Sequence, residues 1–401
     1  MPDTISPEQH RSQITALNRE IYMLNVRLND MERSRIPDSR DPFRNPTEYH
    51  ESQAEYTDVL PQLTYPGYTV PLDPEQEERK RLKRIYAVGG GCMLAHFVLS
   101  DYIISALYVM ITAILRSVNP DAGTEAIRKY ISASSIFAGL TMIVYLLANV
   151  GFARLGMRLT NKKHTELFRT RNFTPAKAAQ YTLIGIFLLL TTALISAAIN
   201  DLFSKYGYNT NVLDLDGVAV SNTGKAVMLI YTVIIAPVTE EYFFRGMLLH
   251  CFSKANQRFA VFFSAFFFGL AHANIPQFLL AFTLGIFLAH ITLLHGSIVP
   301  SIIVHICVNS TSTIFSEFNF KGSALLVANE ILLILAILGG IMLLIFRSDN
   351  KIPATTPAQT RRGLSLALAT PIVTLTLILQ MLYLFSLIFQ SPLLNIFKNF
   401  L

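Results

Sequence analysis

Tryptophan is missing from all 401 residues, and only 15% of the chain is charged. Soluble domains carry about 25% charged residues, so the composition speaks against an ordinary soluble fold. Cysteine is scarce as well. Cys92, Cys251 and Cys307 lie in or beside apolar runs without the spacing of metal ligands, which excludes a disulfide framework and a Cys-based zinc site and leaves small buried hydrophobes. Positive charge exceeds negative by only 6. That excess belongs to loops beside a membrane rather than to a nucleic-acid surface, and no nucleic-acid partner is expected. The opening 80 residues are polar, so no cleavable signal peptide is read at the N-terminus.

Hydrophobic residues, in contrast, make up 52% of the chain. Several apolar runs exceed the roughly 18 residues that mark a membrane helix. The fold class expected is all-α: a polytopic membrane helix bundle of about nine transmembrane helices, with a cytoplasmic N-terminal helix and a linker. Residues 1–33 read as a soluble helix. Ser6, Pro7 and Gln9 form a start signal, and Ile14, Leu17, Ile21, Leu24, Leu28 and Met31 follow a heptad seam. Residues 14–31 could therefore pair a second copy into a homo-oligomer, or dock on the same chain. Residues 34–84 form a Pro-rich linker followed by a basic lead-in helix that starts at Asp73-Pro74.

The membrane domain is expected over 85–346, with a basic loop and a last membrane helix over 347–401. The spans fall at about 86–115, 131–156, 178–199, 225–250, 258–273, 277–295, 297–316, 323–346 and 365–389. Basic residues should mark the cytoplasmic loops. They cluster at Arg79–Arg84, from Arg154 to Lys177, at Lys254 and Arg258, and from Arg347 to Arg362. The connection at 200–224 carries Asp201, Asp214 and Asp216 instead. This alternation puts the N-terminus inside a multi-pass protein of the lipid bilayer. No internal repeat is visible, which weakens a transporter built from inverted halves.

Between Ala226 and Ser316 the only acidic or basic residues are Glu240, Glu241, Arg245, Lys254 and Arg258. The last two read as a loop. The first three stand where a charge costs roughly 2.5–3.5 kcal/mol even on a lenient insertion scale, and an intramembrane ionisable group is a candidate functional site. Glu241 and Arg245 are spaced i,i+4, so they can pair on one helix face, with Arg245 orienting Glu241. Glu240 points about 100° away. Phe268 precedes His272 by one turn, and His305 precedes Asn309 by one turn. All three pairs fall mid-span on different helices. One carboxylate, two imidazoles and one amide around a common pocket could hydrolyse an amide. The carboxylate would take a proton from water, and the His and Asn donors would hold the oxyanion. Glu240, His272 and His305 could equally hold a zinc or other divalent ion, although His-Glu-x-x-His is absent. His96, His250, His290 and His295 lack a partner pattern and are expected to pack or sit at the interface. Tyr242, Phe243, Phe244 and Phe266–Phe268 are expected to pack or face lipid.

Glu240-Glu241-x-x-x-Arg245, then Phe268-x-x-x-His272, then His305-x-x-x-Asn309 resembles the CPBP family, the type II CAAX prenyl endopeptidase and Abi group of intramembrane proteases. The resemblance covers about 180–320. It implies an intramembrane endopeptidase, glutamate-dependent or metal-dependent, acting on a peptide or lipidated-protein substrate in a membrane, with the bacterial plasma membrane favoured. By motif, Glu240 matches the family's essential glutamate, Arg245 closes the first motif, and His272 matches the first essential histidine. His305 and Asn309 match the oxyanion pair. Two other readings stand beside it. One is a non-catalytic scaffold that recruits partners through its N-terminal helix, and the other is a proton or ion transporter.

Overall fold

The computed structural model describes residues 15–25, 74–206, 222–317, 320–349 and 357–388. The chain divides into two units, Met1–Glu78 and Arg79–Leu401. In the first, residues 15–25 form helix α1, with the seam residues Leu17, Ile21 and Leu24 exposed. Ile14, Leu28, Met31 and the Pro-rich stretch 34–73 lie outside the described residues.

The remaining helices are α2 (Pro74–Val118), α3 (Thr124–Ala133), α4 (Ser135–Leu159) and α5 (Pro175–Ser204). A long composite helix, α6, then runs as the segments Asn222–Ile230, Tyr231–Ile235, Ala236–Glu241, Tyr242–Leu248 and Leu249–Ser253. It is followed by α7 (Gln257–Leu270), α8 (Ile275–His295), α9 (Val299–Glu317), α10 (Ser323–Asp349), α11 (Pro357–Leu368) and α12 (Pro371–Ile388). The described residues contain no strand. Pro at the first or second position opens α5 and α8, and Thr174, Asn256 and Asn274 side chains accept the N–H bonds that cap α5, α7 and α8.

Among the described residues, seven helices are long and apolar enough to cross a membrane, and two shorter apolar ones, Gln257–Leu270 and Pro371–Leu387, accompany them. Large apolar side chains on the bundle's outside, such as Ile136, Leu147, Leu194 and Leu344, are exposed, as expected for a multi-pass protein whose solvent is lipid. The lead-in helix and the first span form one 45-residue helix, α2. Helix–helix association in lipid relies on close backbone approach at small residues. A Cβ at Gly339 of α10 would collide with the Leu183 carbonyl of α5.

Two details of this framework govern the site. Helix α6 carries two π-helical stretches, Tyr231–Ile235 and Tyr242–Leu248, and Glu240 and Glu241 lie between them. Such stretches often mark functional sites. The first has a local cause. Pro237 has no N–H, so Val233 would lose its ordinary α-helical donor. In the π register the Ala236 N–H bonds Tyr231 O instead. The second detail is the connection before α5, which does not hang free. The Ile298 N–H and the Ser297 hydroxyl both donate to Leu167 O, at 2.9 Å each. The Arg171 N–H donates to His295 O at 3.2 Å. His295 Nδ1–H returns the bond to Arg171 O at 2.6 Å, and Tyr181 Oη lies 3.0 Å from Nε2. His295 is thus a clamp between a loop and the α8–α9 corner, with more work than the packing role expected of it.

Candidate active site

Glu241 is fully buried, with an ion-pair partner on one side and a hydrogen-bond donor on the other. Arg245 Nη1 stands 3.0 Å from its Oε1, both side chains having essentially no exposure. His305 Nδ1–H donates to the same oxygen at 2.9 Å. The i,i+4 pair read from the sequence therefore forms, and α9 adds the imidazole. Glu241 Oε2 has no hydrogen-bond partner among the described residues. Arg245 Nη2 reaches the Gly285 carbonyl of α8 at 3.4 Å. Gly285 permits this: a Cβ there would lie 3.2 Å from that nitrogen and 3.1 Å from Ala265 Cβ.

Glu240 differs. Its side chain is 22% exposed and its Oε2 stands 3.8 Å from His305 Nε2. Arg245 lies within its electrostatic reach. One imidazole therefore bridges the two adjacent carboxylates, although they point about 100° apart on the helix. The sealed one is ion-paired, and the other is partly open.

His272 is placed differently from the sequence reading. Helix α7 ends at Leu270, and His272 lies in the turn beyond it, not mid-span. Its Nδ1 stands 2.8 Å from Phe268 O. A carbonyl only accepts, so Nδ1 carries the proton and Nε2 presents a lone pair. No hydrogen bond or ion pair links His272 to Glu240 among the described residues. The link is Phe268, which is buried and not a lipid-facing residue. Its ring meets the His272 ring edge-on at 5.0 Å and the His305 ring at 5.7 Å, and Arg245 lies 4.2 Å over its face. The sequence placed Phe268 in the second motif by its one-turn spacing from His272, and the structure adds its contacts with Arg245 and His305.

Asn309 makes a bond that the sequence did not indicate. Its Nδ2 donates to Thr232 O at 2.9 Å. That carbonyl is an orphan of the first π stretch: the N–H four residues on bonds Tyr231 O, and five residues on stands Pro237. One Asn309 N–H is thereby committed to α6, and the second remains for other work.

His96, expected only to pack, heads a buried polar chain into this region. His96 Nε2–H donates to Asn149 Oδ1 at 2.9 Å, Asn149 Nδ2 to Thr239 Oγ1 at 3.2 Å, and Thr239 to Ala236 O at 3.2 Å. Thr239 immediately precedes Glu240, so α2 and α4 brace the helix that carries the carboxylates.

No three His, Cys, Asp or Glu side chains among the described residues sit close enough to hold an ion.

Fold and site thus define a polytopic helical membrane protein with a carboxylate–imidazole–guanidinium cluster inside its bundle. Residues 222–311 match the type II CAAX prenyl endopeptidase Rce1-like family model. The matched segment runs from the start of α6 into α9 and holds Glu240, Glu241, Arg245, Phe268, His272, His305 and Asn309. It is narrower than the 180–320 read from the motifs and leaves α5 outside. No curated protein and no solved structure matches the chain.

Proposed function

We propose that this protein is an intramembrane endopeptidase in which Glu240 activates water for attack on a peptide carbonyl. The observation that carries this reading is the division of labour between adjacent carboxylates. Glu241 is sealed and paired with Arg245, whereas Glu240 is partly open, with an imidazole 3.8 Å away. A general base must be reachable and uncommitted. A water beside Glu240 gives its proton to that carboxylate as its oxygen bonds the carbonyl carbon. The resulting oxyanion takes the free N–H of Asn309; His305, whose Nδ1–H is spent on Glu241, donates there only through Nε2–H when it carries both protons. Glu240 then returns the proton to the departing amine. His272, with Nδ1–H fixed on Phe268 O, offers Nε2 as an acceptor that orients water. Arg245 and Glu241 hold His305 in place. No step in this reading is routed through a metal ion.

The substrate class is an apolar or lipidated peptide, in line with the family's description. We place the N-terminus on the cytoplasmic side, on the strength of the basic stretches at Arg79–Arg84 and Arg154–Lys177. The test uses the full chain in proteoliposomes with two peptides, one prenylated at a cysteine near its C-terminus and one not, read by mass spectrometry. Hydrolysis that is lost in Glu240→Gln supports the reading. Equal hydrolysis by that variant overturns it.

A further inference from the structure

A second polar cluster lies beside the site, on elements outside or at the edge of the family match. Asp101 stands well inside the span Glu78–Val118, where an unpaired carboxylate is costly and marks function. Tyr145 Oη of α4 is 3.5 Å from Asp101 Oδ1. Tyr383 of α12 lies within electrostatic reach of both Asp101 and Tyr145. Tyr231 of α6 reaches Tyr145 on one side and Glu240 on the other. Four helices thus contribute one acid and three phenols, and all four side chains are half-buried, neither sealed nor facing outward. The Tyr145 ring also stacks 6.4 Å from His96, and Phe97 meets the Tyr383 ring at 5.5 Å, which fixes two walls of the cluster.

The chemistry of this set is one-sided. It contains one negative charge, oxygen acceptors and aromatic rings, and no basic side chain pairs with Asp101 among the described residues. Its complement is a hydrogen-bond-donating cation, which carboxylates and tyrosine rings both attract. Asp101 is linked to Glu240 through Tyr145 and Tyr231, each within electrostatic reach of the next, so a ligand that bridged both ends would be extended, as a peptide is.

We infer that Asp101, Tyr145, Tyr231 and Tyr383 form a subsite for the cationic side chain of a Lys or Arg in the bound peptide. That the ligand is a substrate rests on the peptidase reading above. The cation preference itself does not, because it is read by binding.

The probe is a synthetic apolar helical peptide about 20 residues long with one central Lys, compared with the same peptide carrying Gln. Binding to the full chain in nanodiscs is measured by fluorescence anisotropy in the Glu240→Gln background, where turnover is not needed. The expected result is about tenfold tighter binding of the Lys peptide, a preference worth about 1.4 kcal/mol. Asp101→Asn removes this preference and leaves Gln-peptide binding unchanged. Tyr145→Phe, which keeps the ring and deletes only the hydroxyl, reduces the preference without abolishing it. Butylammonium added to the background protein weakens Lys-peptide binding alone, a check independent of any Asp101 substitution. Equal binding of the two peptides, or a preference that survives Asp101→Asn, overturns the subsite. Hydrolysis by the wild type without a charge preference would sink the subsite and leave the peptidase reading standing. A charge preference without hydrolysis would do the reverse.

Discussion

The Arg245 guanidinium carbon lies 4.2 Å over the centroid of the Phe268 ring. This contact ties the first motif to the second across two helices, and the same ring touches both His272 and His305. Phe268→Leu keeps an apolar side chain but removes the π face, at a cost of about 2 kcal/mol for a desolvated cation–π contact. Phe268→Ala adds a cavity and is expected to cost about 3–5 kcal/mol. Thermal unfolding in detergent should rank wild type above Leu above Ala. Equal melting of Leu and wild type would remove the cation–π part of the account.

Glu241 and Arg245 form a buried ion pair 3.0 Å apart. Removing one partner of such a pair strands the other charge and costs about 3–5 kcal/mol. Glu241→Gln and Arg245→Met should each destabilise by that order. The double variant should lose much less than their sum, because no lone charge is left. A double-mutant cycle on urea or thermal stability reads this directly, and additive losses would show that the two charges do not act as a pair.

The i,i+4 pair Glu241 and Arg245 was legible from spacing alone, because the helix period fixes which side chains share a face. The sequence also led to the expectation that three motifs from separate apolar helices gather, since charged groups in such helices turn inward. Other features were hidden for physical reasons. Phe268 stood out through its spacing from His272, but its contacts with Arg245 and His305 depend on neighbours in space. The acceptor of Asn309 depends on a register shift caused by Pro237, and a shift of one hydrogen bond leaves no periodic signature. The placement of His272 depends on where α7 stops, and helix ends are the least determined feature of a pattern. Asp101 stood in plain view as an acid in an apolar run, but its partners come from α4, α6 and α12.

Gly285 lets α8 approach the cluster. A Cβ at this position would lie 3.1 Å from Ala265 Cβ and 3.2 Å from both Arg245 Nη2 and Phe268 Cδ1. Gly285→Ala should cost about 1–3 kcal/mol by overpacking and push the guanidinium off the ring. The expected readout is a lower melting temperature together with reduced cleavage. An Ala variant that matches wild type in both would show that the gap is compliant.

Asn309 carries two separable roles. Its bond to the Thr232 carbonyl, at 2.9 Å, is structural. Deleting it in Asn309→Ala should cost about 1–3 kcal/mol through an unsatisfied carbonyl. If the second N–H also holds the oxyanion, kcat falls about 10²–10³-fold with KM little changed. Stability and kinetics measured on the same preparation separate the two. A loss of stability with kcat intact would leave Asn309 as a brace for α6 only.

The peptidase account turns on Glu240, the one carboxylate of the pair left without an ion-pair seal. The most direct measurement is the single-turnover cleavage rate of Glu240→Gln, with its melting temperature taken on the same sample. The account predicts a rate lowered by about 10²–10⁴-fold, the usual worth of a general base, with melting unchanged within error. A folded Glu240→Gln protein that cleaves within threefold of wild type would contradict it.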